Sequence, residues 1–133
     1  MRTPGGLMAV SMDLEQRDEA WLLTVSGELD YSECAGFRML IDRILRAAPP
    51  ATIVDLSGLE YLDSSGLGLL LSLSREYTAG GGRFVLVTNE TVDSILDLTR
   101  LTGIFSIASD LPEAYETVRD TRPGGPGTRA TDP

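Results

Sequence analysis

From Met8 to Val118 the hydrophobic period of this chain switches repeatedly between two residues and 3.6, and that switching leaves few folds open. Met8, Val10, Met12 and Leu14 alternate with Ala9, Ser11, Asp13 and Glu15, which gives a first strand with one buried face. Residues 16–19 are polar and read as a turn. Trp21, Leu23 and Val25 then alternate in a second strand that ends at Gly27, so the two form a hairpin. Over residues 32–48 the period becomes helical: Phe37, Leu40, Ile41, Ile44, Leu45 and Ala48 share one face, and Arg38, Asp42, Arg43 and Arg46 the other. Pro49 and Pro50 stop that helix.

Residues 52–56 are a short run suited to a central strand, and residues 57–62 read as a connecting loop. A second helix over 65–78 is closed by Gly80, Gly81 and Gly82. The apolar run 84–87 is an interior strand, 91–101 a third helix ending at Gly103, and 104–107 a last strand. Asp110, with Glu113 three residues on, opens a fourth helix in the manner of a capping box. The order ββαβαβαβα predicts an α/β fold: a mixed, mostly parallel sheet of about five strands with four helices, right-handed crossovers and an antiparallel leading hairpin. Residues 1–7 read as a flexible arm, 8–120 as the domain, and 121–133, rich in Pro, Gly and Thr, as a disordered tail.

Composition removes several chemistries. A chain of 133 residues with 42% hydrophobic content is sized for one domain with its own core. The single cysteine, Cys34, excludes an intramolecular disulfide and a cysteine-based zinc site, and is expected to be a small buried thiol. There is no histidine, so the usual general base and commonest metal ligand are missing. All 11 basic residues are arginine, which excludes a P-loop lysine and a Schiff-base lysine. A net charge of −9 disfavours nucleic acid and anionic membranes as partners. The longest apolar stretch, 67–73, is interrupted by Gly68 and Ser72 and is too short to span a bilayer. With no leader-like pattern at the start, the expected location is the cytoplasm.

The informative segment leads from the 52–56 strand into the second helix. Ser64 sits where an N-cap residue belongs, and Ser65 is the other cap candidate. Free amides at the helix start favour negative charge, so a phosphate on Ser64 is expected to take hydrogen bonds from its own backbone. Asp63, Glu60 and Asp30 oppose it by like-charge repulsion. On local chemistry alone, Asp-Ser-Ser-Gly is also an ordinary turn and helix cap. Gly68, inside the helix, costs about 1 kcal/mol against alanine. Its presence calls for close approach to the sheet or to a partner.

Asp63-Ser64-Ser65-Gly66-Leu67-Gly68, following a strand and a short loop, resembles the phosphorylation motif of the STAS-domain anti-sigma factor antagonists. Gly27-Glu28-Leu29-Asp30 is similar to that family's segment after the second strand, and Leu98, Leu101, Thr102, Gly103 and Ile104 to its late helix-to-strand turn. The resemblance implies the STAS fold and a partner-switching role. The unphosphorylated protein binds an anti-sigma factor that is also a serine kinase, and so frees the sigma factor. The kinase phosphorylates the serine directly after the motif aspartate, the complex dissociates, and a serine phosphatase restores the active form. Carried over, the acceptor is Ser64, with Ser65 the lesser candidate. Asp30 and Asp63 match acidic positions that orient the hydroxyl or influence phosphorylation. Asp63, Ser64, Ser65, Gly66, Leu67 and Gly68, together with Asp30, make up the expected switch and partner surface. ATP and magnesium belong to the kinase, and this chain carries no cofactor. The resemblance also leaves open a STAS subunit of a transporter or stressosome-like assembly.

An enzyme reading with Ser64 as nucleophile lacks a base, since neither histidine nor lysine is present and Gly-x-Ser-x-Gly does not occur. Gly80-Gly81-Gly82 lies between a helix and a strand, the reverse of a phosphate loop's order, and reads as a helix stop.

Overall fold

The computed structural model describes residues 10–119, so the expectations for the arm 1–7 and the tail 121–133 lie outside the described residues. The first strand, β1 (Val10–Gln16), pairs antiparallel with β2 (Trp21–Leu29). The chain continues through α1 (Cys34–Ala47), β3 (Ala51–Asp55), β4 (Leu59–Leu62), α2 (Ser64–Ala79), β5 (Arg83–Val87), α3 (Glu90–Leu98), β6 (Ile107–Ala108) and α4 (Leu111–Arg119). The sheet runs β1-β2-β3-β5-β6, with β4 paired to β2 off that path. All pairs other than β1–β2 are parallel. The expected mixed sheet, leading hairpin and four helices are present, with one strand more than expected.

The extra strand corrects the reading of residues 57–62 as a loop. β2 is nine residues long and serves two neighbours in turn. Its first half, Trp21 to Thr24, pairs with β3; further on, Gly27, where φ is +90°, pairs with Leu59 of β4, and after a register shift Glu28 and Leu29 pair with Tyr61 and Leu62. Thus β2 does not stop at Gly27. The extra residue at the shift is Glu60 on β4; Gly27 takes a left-handed backbone opposite it, and the strand goes on. Two later boundaries also move. The third helix ends at Leu98, because Arg100 turns left-handed at φ +62°, and a 3-10 turn (Thr102–Ile104) displaces the last strand to Ile107–Ala108.

The sheet separates two apolar layers. On one face Leu23, Val25, Val54 and Leu86 meet Phe37, Ile41 and Ile44 of α1, Leu70 and Leu73 of α2, and Val92 and Leu96 of α3. On the other, Leu22, Ile53, Val85 and Val87 meet Ala114 and Val118 of α4. Burying a side chain such as Phe37 fully contributes about 1.5–3 kcal/mol. The arginine face of α1 is exposed, as its period requires, and Cys34 is buried. Tyr77 fastens the C-terminal end of α2 to the α1–β3 loop by donating its hydroxyl to the Pro49 carbonyl. At α4, Asp110 Oδ1 accepts from the Glu113 amide at 2.9 Å, while Glu113 Oε1 accepts from the amide and hydroxyl of Ser109 at 2.8 Å each. The box therefore closes one residue earlier than a standard one. No helix of the described residues is long and apolar enough to cross a membrane.

Candidate functional site

The residues singled out in sequence come together where β2 and β4 end and α1 and α2 begin. β4 delivers Asp63 in an extended conformation, and its carboxylate divides its work. Asp63 Oδ1 accepts from the Ser65 amide at 3.0 Å and the Gly66 amide at 3.2 Å, and Oδ2 accepts from the Tyr31 amide at 2.9 Å. The N-cap of α2 is therefore Asp63, and neither Ser64 nor Ser65 fills that place. The physical reason is geometric. The N-cap needs an extended backbone and a short side-chain acceptor, and the aspartate meets both conditions one residue before the helix starts. Its backbone joins two elements as well: the Asp63 amide donates to the Leu29 carbonyl at 3.3 Å, and the Asp63 carbonyl accepts from the Leu67 amide at 3.0 Å.

Ser64 is the first residue of α2 and is exposed; Ser65 is half-buried. No hydrogen bond joins the Ser64 hydroxyl to Asp30 or Asp63, so these carboxylates do not orient it in the free chain. The expected backbone cradle for a phosphate on Ser64 is also altered, because the Ser65 and Gly66 amides already serve Asp63. Asp30 spends its Oδ1 on Ser32, accepting from the amide at 3.0 Å and the hydroxyl at 2.7 Å. Those bonds, the hydroxyl's first, hold its carboxyl below the usual range. Burial, then the charges of Asp63 and Asp30, pushes the Cys34 thiol up. A raised thiol beside carboxylates is poorly reactive.

The three other motif residues do different things. Gly66 is buried, and a Cβ there meets Leu62 Cδ1 at 2.7 Å and Leu29 Cδ2 at 3.0 Å. Leu67 is buried in the core. Gly68 is exposed, and a Cβ there meets nothing within 4 Å, so the close approach to the sheet expected of Gly68 belongs to Gly66 instead. Two aromatic residues went unremarked in the sequence. Tyr31, 78% exposed, is tied to Asp63 through its own amide; Tyr61, 46% exposed, lies two residues before Asp63 on β4. Asn89 was also missed, although asparagine before a helix is a cap signal. Its long-range bonds carry no local signature.

The family model for the STAS domain matches residues 11–118. Among curated relatives, a putative anti-sigma factor antagonist of Thermotoga maritima is 32% identical over 104 residues, covering 77% of this chain and 92% of that protein. An anti-sigma factor antagonist of Mycobacterium paratuberculosis superposes with a TM-score of 0.76 at 26% identity, covering 90% of this chain and all of that one (100%). The Bacillus cell fate determinant SpoIIAA in its phosphorylated form superposes with a TM-score of 0.64 at 28% identity, covering 82% of this chain and 100% of that one. The chain belongs to the STAS domain family. The Thermotoga and Mycobacterium relatives just described are named as anti-sigma factor antagonists.

Proposed function

We propose that this chain is an anti-sigma factor antagonist. Its unphosphorylated form binds an anti-sigma factor that is also a serine kinase and releases the sigma factor, and phosphorylation of Ser64 switches that binding off. The observation that carries this reading is the state of Ser64: an exposed hydroxyl at the first turn of α2, on a backbone fixed by Asp63. A kinase can reach such a hydroxyl without unfolding anything. Its neighbours Tyr31, Tyr61 and exposed Gly68 offer a surface on which a partner can seat. The kinase supplies ATP and magnesium, and a serine phosphatase reverses the modification.

The switch is then a change of charge at a prepared surface. With the Ser65 and Gly66 amides engaged by Asp63, a phosphate on Ser64 projects outward. It adds about −1.5 to −2 charge beside the carboxylates of Asp63 and Glu60. The free chain tolerates this in water, whereas a docked partner must desolvate the phosphate or withdraw. The test is incubation with anti-sigma kinases and ATP, followed by mass-spectrometric mapping. Phosphate on Ser64, absent from Ser64→Ala, supports the reading. Phosphate confined to Ser65 moves the switch by one residue, and no phosphate with any kinase that binds the chain contradicts it.

A further inference from the structure

Asp63 holds the start of α2 from the front, and a second polar side chain holds the strand that delivers Asp63 from behind. Asn89 lies two residues past the end of β5 and caps α3, its Oδ1 accepting from the Val92 amide at 2.8 Å. The other half of its carboxamide reaches back more than two elements. Asn89 Nδ2 donates to the Ser57 carbonyl at 3.0 Å and to the Leu59 carbonyl at 2.8 Å.

Those carbonyls stand at the entrance of β4, whose Leu59 and Leu62 side chains are buried in the core but whose backbone is paired along one edge only. It is four residues long and is paired only with β2 among the described residues, over three residue pairs that straddle the register shift between Gly27 and Glu28. At its ends, the Gly27 amide donates to the Gly58 carbonyl at 3.1 Å, the Leu59 amide to the Leu56 carbonyl at 3.0 Å and the Asp63 amide to the Leu29 carbonyl at 3.3 Å, and none of these engages the Leu59 carbonyl. Successive carbonyls of a strand point to opposite edges, so with Gly58 committed to β2 the Leu59 carbonyl faces the edge that lacks a strand. Left unpaired there, a half-covered carbonyl lets the strand slip or fray. Asn89 supplies the missing donor.

We propose that Asn89 is a positioning residue for the Ser64 site: by holding the Ser57 and Leu59 carbonyls it fixes β4 against β2, and β4 sets where Asp63 caps α2 and presents Ser64. This rests on the reading of Ser64 as the phosphoacceptor. The path is short, since only Glu60, Tyr61 and Leu62 lie between Leu59 and Asp63. α3 packs along β4, so the clamp also ties the late part of the chain to the switch segment.

Asn89→Ser separates the clamp from the cap. Serine caps a helix about as well as asparagine but has no carboxamide to reach the two carbonyls. Asn89→Asp is the companion variant: it keeps the cap oxygen and presents a carboxylate to the carbonyls in place of a donor. Amide hydrogen exchange of the full chain, read by NMR, is the measurement. In both variants the Asp63, Ser65 and Gly66 amides exchange about tenfold faster, as expected for losing two neutral hydrogen bonds at one strand. The Val92 amide, capped by residue 89, and the Leu56 amide, bonded to the Val87 carbonyl of β5, keep their protection. Unchanged exchange at Asp63, Ser65 and Gly66 overturns the proposal, and so does uniform acceleration that includes Val92 and Leu56. No kinase enters this measurement, so its failure is distinct from failure of the phosphoacceptor reading. With the kinase and ATP added, Asn89→Ser lowers the turnover of Ser64 phosphorylation at saturating chain. A wild-type turnover overturns the link to the switch.

Discussion

One carboxylate does most of the organising around Ser64. Asp63 receives three backbone amides, from Ser65, Gly66 and Tyr31, and so caps α2 and anchors the turn into α1 together. Ser64 carries none of that load, and the two neighbours therefore respond unequally to truncation. Asp63→Ala loses about 1–2 kcal/mol in urea unfolding, the worth of an N-cap with a further tie removed. Ser64→Ala stays within about 0.5 kcal/mol, as an exposed first-turn substitution should. Equal losses contradict this assignment of the cap. The two motif glycines diverge in the same way. Gly66→Ala drives a methyl into Leu62 and Leu29 and costs about 1–3 kcal/mol. Gly68→Ala meets open space and gains up to about 1 kcal/mol of helix propensity. Thermal melts of the two variants move to opposite sides of wild type. In sequence these glycines look alike, because what separates them is a packing partner on β2 and β4 that no local pattern records.

At the scale of elements, the amphipathic period of α1 and the continuous apolar run of β5 were legible because each element's own residues decide its face. β4 was hidden for the opposite reason. Four residues behind a Ser57-Gly58 turn signal make too short a pattern, and only the long β2 beside them turns the segment into a strand. The 3-10 turn after α3 was hidden by a left-handed Arg100 rather than a glycine. The start of α4 was readable from Asp110 and Glu113, and it carries a pH dependence. Bonds from the Ser109 amide and then its hydroxyl lower the Glu113 carboxyl below its ordinary range. A group whose folded pKa is depressed stabilises the fold above its unfolded pKa, and that contribution is lost as pH falls through the folded value. The difference in melting temperature between wild type and Glu113→Gln is therefore largest near neutrality and closes below the carboxylate range. A difference that grows on acidification contradicts the sign. Glu113 is exposed, so solvent screening keeps the effect small.

At the scale of the molecule, the alternating periods were enough to lay out a mixed sheet with helices on both faces, and the motif around Ser64 sits where strands end and helices begin. The wiring of the site was not legible, since Asp63 to Tyr31 and Asn89 to Leu59 each span about 30 positions of sequence. On the proposed reading, phosphorylation acts at this surface without remodelling the core. Phosphorylated chain accordingly keeps its melting temperature, and its NMR shifts change only around residues 30–34 and 60–68. Shifts spread through α4 contradict that. Ser64→Asp, with one charge against nearly two, weakens partner binding less than the phosphate does. The central claim is tested most directly by calorimetric binding of the unphosphorylated chain and its Ser64 phosphoform to the anti-sigma kinase with ADP. The account predicts that the phosphoform binds weaker by on the order of a hundredfold, the scale of an unpaired charge desolvated within an interface. Equal affinity for the two forms would contradict it and leave Ser64 an ordinary residue at the start of a helix.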